Sequence, residues 1–153
     1  MQRRPLFILA SLLALTGTAA TAAAALTAQQ AVDMRKNRYR ELGAAFKTIN
    51  DQVKSGTLVK VMLRSSARIV TGVARDQYQF FPAGSGPAAS LSTKAKAIIW
   101  SDPAGFKQAQ ANFQRQADAM AIAAESGQLD QVQKQAKALG QTCAACHKSY
   151  RED

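Results

Sequence analysis

Cysteine and histidine are almost missing from this chain of 153 residues, which has two of the first and one of the second. All three stand together in the stretch "CAACH" at residues 143–147. Two cysteines cannot build a multi-bridge framework, and a chain of this length can bury a core without one. Acidic residues are also scarce, 10 against 20 lysines and arginines, giving a formal charge of +10. The basic excess is spread along the sequence, with no consecutive basic block and no interleaved aromatics, which excludes a nucleic-acid-binding segment. It reads instead as a solvated basic surface that helps to meet acidic partners. There is no alternating strand pattern, no glycine-rich phosphate loop and no internal repeat.

Long apolar runs are lacking as well, apart from one near the start. Arg3 and Arg4 precede an apolar run at residues 6–15, followed by small residues with A-x-A sites around Ala22, Ala23, Ala24 and Ala25. That layout is a secretory signal peptide. A run of this size is too short for a membrane span, which takes about 20 residues. Cleavage is therefore expected near Ala25, leaving a single exported domain over residues 26–153 with no membrane span. Loss of Arg3 and Arg4 lowers the formal charge from +10 to +8.

What is there is helical spacing throughout. In a first helix, Val32, Tyr39, Leu42, Phe46, Ile49 and Val53 share a stripe that ends at Ser55 and Gly56. In a second, Val59, Met62, Ser66, Ile69, Val73 and Phe80 do so, with Leu63, Val70 and Phe81 beside them, up to Pro82. Residues 82–100 lose the period and carry two prolines and two glycines, the signature of a long connection that can hold a short helical turn. Asp102 and Pro103 restart a helix as cap and first residue. Its stripe is Phe106, Ala109, Phe113, Ala117, Met120 and Ala124, closed by Gly127. The last helix steps 3, 4, 3, 4, 3, 4 through Leu129, Val132, Ala136, Leu139, Cys143, Cys146 and Tyr150. Four amphipathic helices with two short connections and one long one predict an all-α, antiparallel four-helix bundle.

C-x-x-C-H is the attachment signal for c-type haem, in which two thiols form thioethers and the adjacent imidazole binds iron. On a helix Cys143, Cys146 and His147 lie on one side, so three anchors can hold one ring. Other chemistries stay open on the same residues. Structural zinc takes four ligands and would need a carboxylate or a second chain. A redox dithiol wants a βαβ context, and a Cys143–Cys146 disulfide is feasible in an exported protein but would not account for His147. With haem attached at Cys143 and Cys146 and iron on His147, no second histidine exists for the other axial position. The usual alternative is methionine, here Met34, Met62 or Met120.

The chain resembles cytochrome c prime, the class II c-type cytochromes. The resemblance is carried by "AVDMR...Y...G...F" in the first helix, "IIWSDPAGFKQAQANF" leading into the third, "ESGQLDQVQKQAKALG" between the third and fourth, and "TCAACHKSYR" at the end. It implies a four-helix bundle with one covalent haem c per chain. It also implies that the residue four positions after Arg35, which is Tyr39, covers the distal face without binding iron. Members with methionine there are low-spin electron carriers; this chain has none there and resembles the five-coordinate type. Arg151, one turn after His147, corresponds to the arginine that closes the proximal pocket.

Physical chemistry bears on each residue separately. Arg35 falls on the apolar stripe, where a buried charge is costly unless paired; a haem propionate would pair it, and the alternative is a side chain that snorkels to water. Arg151 could equally be a terminal cation favoured by the helix dipole. Lys36 is a candidate for the haem edge. Tyr39 is either plain core or a gate whose hydroxyl can donate to a bound ligand, and Phe46, Phe80, Phe81, Phe113 and Trp100 read as packing. The resemblance implies a periplasmic homodimer, paired through the first two helices, that binds nitric oxide or carbon monoxide or passes electrons to a redox protein partner. No enzyme is expected, because no acid, base or second histidine accompanies the iron. The rival is a six-coordinate His/Met carrier using Met34 or Met62.

Overall fold

The computed structural model describes residues 26–87 and 91–152; the signal peptide expected at residues 1–25 lies outside them. The elements are α1 (Ala28–Ser55), α2 (Lys60–Asp76), a 3₁₀ turn (Gln77–Gln79), α3 (Ile98–Ser101), α4 (Pro103–Ser126) and α5 (Leu129–Tyr150). Local chemistry sets the ends. Thr27 and Gln30 form a reciprocal capping box at the start of α1. Asp102 accepts from the Gly105 amide at 3.0 Å, with Pro103 at the first helical position. Gly56 and Gly127 take φ of 71° and 66°, where a Cβ would be strained, and so turn the chain after α1 and α4.

Cross-links fix the direction of packing. Arg38 of α1 reaches Asp76 of α2, Arg64 and Arg75 of α2 reach Glu125 and Asp118 of α4, and Gln135 of α5 bonds Gln116 of α4. Arg38–Asp76 and Arg64–Glu125 join the early part of one helix to the late part of the next, and Gln135, early in α5, meets the second half of α4, so the four long helices form an antiparallel bundle. Neighbours pack closely in the order α1, α2, α4, α5, while the seam that closes the ring, α1 against α5, is sparse. The central core holds Ile49, Leu63, Val70, Phe113, Met120, Val132 and Leu139.

The second helix departs from its expected face. Val59, Met62 and Ile69 are exposed, while Leu63, Ser66, Ala67, Val70, Thr71, Val73 and Ala74 are buried. Small and hydroxylated residues face the neighbours because α1 and α4 approach closely there. Thr71 satisfies its hydroxyl on the Ala67 carbonyl, so a polar residue costs little on the buried side. The helix also ends at Asp76 rather than Pro82. Its last turn tightens to 3₁₀, where Gln77 and Gln110 exchange side-chain to backbone hydrogen bonds at 3.2 and 3.4 Å.

Candidate functional site

The last two turns of α5 carry the thiols. Cys143 and Cys146 are both free and half-buried, and His147 is exposed at the rim. Burial raises both thiols; Cys146, with Cys143 as a second cause, is pushed up to about 11. Partial burial of the imidazole, and then Arg151, lower the His147 pKa and favour the neutral ring. Among the described residues no group of three or more His, Cys, Asp or Glu could hold a metal ion. The carboxylate that a structural zinc would have needed is therefore not beside the thiols. The all-helical surroundings supply no βαβ unit either.

A backbone strap holds the end of α5, a feature sequence reasoning missed. Ala95 pairs with Arg151 in an isolated antiparallel bridge. The Lys96 amide donates to the Tyr150 carbonyl at 3.0 Å, and the Glu152 amide to the Lys94 carbonyl at 2.7 Å. Lys96 Nζ also donates to the Lys148 carbonyl at 3.1 Å. Arg151 is thus fixed one turn beyond His147, and with Lys96, Lys148 and Glu152 it lines an open cleft of about 370 Å³ beside the imidazole. A larger groove, about 520 Å³, runs along Asn50, Val53 and the first turns of α5 at the opposite end of the bundle from His147. Size does not mark the site here; the chemistry of the thiols and the imidazole does.

Across the sparse seam stand Arg35 and Tyr39 of α1. Tyr39 is held by Phe80, edge-on at 6.1 Å, and by Phe81 at 6.4 Å. Burial first, and the proximity of Cys146 second, raise its hydroxyl well above the usual phenol range. Further rings continue the wall: Phe81 meets Trp100 at 6.1 Å and Phe106 at 4.8 Å, and Phe106 meets Tyr150 at 5.0 Å. The rings from Phe80, Phe81 and Trp100, expected only to pack, thus stand directly behind Tyr39, whereas Phe113 lies in the core and Phe46 packs against it. No period could have shown this, because Phe81 lies just past the 3₁₀ turn and Trp100 in the one-turn α3, on either side of an irregular connection.

Arg35 is only 4 % exposed, so it does not snorkel to water. Its Nη1 donates to the Phe80 carbonyl and the Ser85 hydroxyl at 3.3 and 3.2 Å. Its Nη2 donates to the Ser85 carbonyl at 2.7 Å and to Thr93 Oγ1 at 2.5 Å. Burial lowers its pKa, though a guanidinium stays charged at any physiological pH. No carboxylate pairs with it among the described residues. Lys36 is exposed beside it.

The methionines are sorted by position. Met120 is fully buried in the core and Met62 is half exposed near the start of α2. That end of α2 lies roughly 20 Å along the bundle from the 3₁₀ turn at the site end. Met34 is half-buried, about 100° round α1 from Arg35. None shares the face of Arg35 and Tyr39. Two thiols and an imidazole on one side of α5, with Cys146 close to a tyrosine that aromatic rings and a buried guanidinium back, suit a flat apolar ring with anionic edges that is bonded through its rim.

Comparison with known proteins gives the same answer from an independent direction. Residues 30–151 match the family described as Cytochrome C'. The cytochrome c' of Rhodospirillum rubrum is 33% identical over 148 residues, which cover 97% of this chain and 98% of that protein. Among solved structures, the nitric oxide complex of a leucine-to-isoleucine variant of cytochrome c prime from Alcaligenes xylosoxidans superposes with a TM-score of 0.74 at 25% identity, covering 82% of this chain and 97% of the other. A carbon monoxide-bound leucine-to-glycine variant of the same protein gives a TM-score of 0.74 at 25% identity, covering 83% and 98%.

Proposed function

The chain belongs to the cytochrome c' family, and on that premise we propose that it is an exported, periplasmic c-type cytochrome whose single haem iron is five-coordinate and binds nitric oxide or carbon monoxide. The observation that carries this reading is Tyr39, a bulky residue facing Cys146 on α1 with no methionine on its face. The residues fit the cofactor: Cys143 and Cys146 would hold it through thioethers, and His147 would bind its iron. When bound, the haem supplies the metal centre that takes up a diatomic gas or exchanges an electron.

The rest of the work falls to the chain. Tyr39 and the rings behind it exclude water and larger ligands from the distal side, so that a neutral diatomic enters only as the tyrosine gives way. The Tyr39 hydroxyl, kept protonated by burial, can donate to a ligand that arrives. Arg151 sits where it closes the proximal side beside His147, held there by the strap. Arg35 has one donor left, Nε, for a haem carboxylate, and Lys36 is free to meet the haem edge. Residues 1–25 act as the export signal, and no helix among the described residues is long and apolar enough to cross a membrane.

Pairing of two chains through α1 and α2 is supported by outward apolar residues, Val59 at the cap of α2 and Val61, Met62 and Ile69 on it, with Val61 at 74% exposure. A role in electron transfer is favoured by one further observation: Lys94, Lys148 and Arg151 are exposed around the α5 terminus, a charge pattern that steers an acidic redox partner. The six-coordinate carrier is disfavoured, because Met34 lies about 100° round α1 from Arg35 and Met62 lies in the other half of the bundle.

The visible spectrum of the reduced protein, taken before and after carbon monoxide, tests the reading. Broad high-spin bands that shift with the gas are expected. Sharp low-spin bands indifferent to it would hand the function to the electron carrier.

A further inference from the structure

We infer that Arg35 is a positioning residue for the distal gate: it clamps the connection after α2 so that Phe80 and Phe81 hold Tyr39 in place, which sets how readily a gas enters. This rests on the reading of Tyr39 as the gate. Four of the five N–H donors of a guanidinium are committed here to Phe80, Ser85 and Thr93. The cation also lies 5.0 Å from the Phe81 ring and 5.9 Å from that of Trp100.

The loop answers in kind. Ser85 is fully buried, and its hydroxyl donates to the Pro82 carbonyl at 2.8 Å. The same carbonyl accepts from Trp100 Nε1 at 3.1 Å. A Cβ added at Gly86 would lie 3.0 Å from the indole, so the turn has no slack. Without the cation, buried carbonyls of Phe80 and Ser85 lose their partner, and an orphaned buried acceptor is costly. The connection would then shift, and the two rings packed on Tyr39 would shift with it.

The test weakens the clamp from the loop side, removing two of its four acceptors, Ser85 Oγ and Thr93 Oγ1, and leaving the guanidinium and the haem carboxylates untouched. In the haem-loaded protein, the Ser85→Ala, Thr93→Val double variant is compared with Arg35→Lys, Tyr39→Ala and Thr93→Ser. Two readouts are taken, the carbon monoxide association rate and hydrogen exchange of residues 80–87 and 91–97. The double variant and Arg35→Lys should exchange faster in these segments and bind gas about tenfold faster, the factor that one buried, charge-assisted hydrogen bond carries. Thr93→Ser, which keeps the acceptor, should behave as wild type and guards against a general folding defect. If Tyr39→Ala accelerates binding but the double variant stays within about twofold of wild type, a difference too small for a lost buried hydrogen bond, the clamp is refuted and the gate stands. Unchanged exchange in the double variant also refutes the clamp. A Tyr39→Ala rate equal to wild type overturns the gate and the clamp with it.

Discussion

The two halves of the bundle are built on different terms. In one half Leu63, Met120, Val132 and Leu139 are at most 1% exposed, and the buried side chains around them are mostly apolar. In the half around the thiols, Tyr39, Phe81, Trp100, Cys143, Cys146 and Tyr150 are only half-buried, and the fully buried groups include Arg35, Gln77, Ser85 and Gln110. The first half is stabilised by area removed from water, about 1.5–3 kcal/mol for each large aliphatic side chain. The second is positioned by hydrogen bonds and ring contacts, which contribute less net energy but fix direction. A protein can thus keep its stability at one end and its chemistry at the other.

The sharpest break comes from the thiols. Replacing both Cys143 and Cys146 by serine should abolish covalent haem altogether, read as loss of haem-linked absorbance after denaturing electrophoresis. Helix content by circular dichroism should survive, because neither residue belongs to the aliphatic half. Loss of both signals together would mean that the two halves are not separable.

The mirror experiment is Leu139→Ala, one turn before Cys143 but inside the packed core. It should cost about 2–5 kcal/mol in denaturant unfolding, as for buried leucines generally. The residues proposed to bind haem keep their identity, so the folded fraction should still carry covalent haem. A cost below about 1 kcal/mol, the low end for removal of any buried aliphatic group, would show that the core is less tightly packed than its burial indicates.

How much of this could be read in the sequence follows the same division. α5 was legible because one period of 3.5 residues carries both the leucines and the cysteines, and the core half obeys such periods everywhere except on α2. There the predicted stripe is split: Val59, Met62 and Ile69 face outward, whereas Ser66, Val73 and Phe80 of the same stripe are buried. Periodicity tells that a helix has an apolar side; it does not tell whether a neighbour covers it or small residues such as Ala67 and Ala74 let another helix come closer. The site half was legible only in its covalent chemistry, C-x-x-C-H. Arg35 and Tyr39 stood out by resemblance and by stripe, yet their partners Phe80, Ser85, Thr93 and Trp100 lie 41 to 65 residues away, in or beside a segment without regular spacing, where no local rule applies. The strap from Lys94 to Lys96 was invisible for the same reason.

At the site end lies the start of α4, where Asp102 caps the helix that carries Phe106 into the aromatic wall. Asp102→Ala should cost about 1 kcal/mol of global stability, the usual worth of an N-cap. The gas-binding spectrum should hardly change, since Phe106 is also held by Phe81 and Tyr150. A spectral change without a stability loss would make the cap part of the site.

The smallest effect belongs to the surface. Lys47 and Asp51 form an ion pair at 2.6 Å on α1, and their side chains are 76% and 53% exposed. At that exposure the attraction is screened by water and salt, and holding two flexible side chains together costs entropy, so Lys47→Met should change stability by less than about 0.5 kcal/mol. The comparison with Arg35 isolates what burial does to the same kind of charge. Arg35 has no carboxylate partner among the described residues and yet organises a whole connection, because its donors meet carbonyls that water cannot reach. Lys47 has an ideal partner and organises nothing, because water competes for both ends. Unfolding curves for Lys47→Met and Arg35→Lys, each a change at one charged residue, should therefore differ severalfold in their displacement. Equal displacement would mean that the site half is as solvated as the surface, and the contrast between the halves would fail.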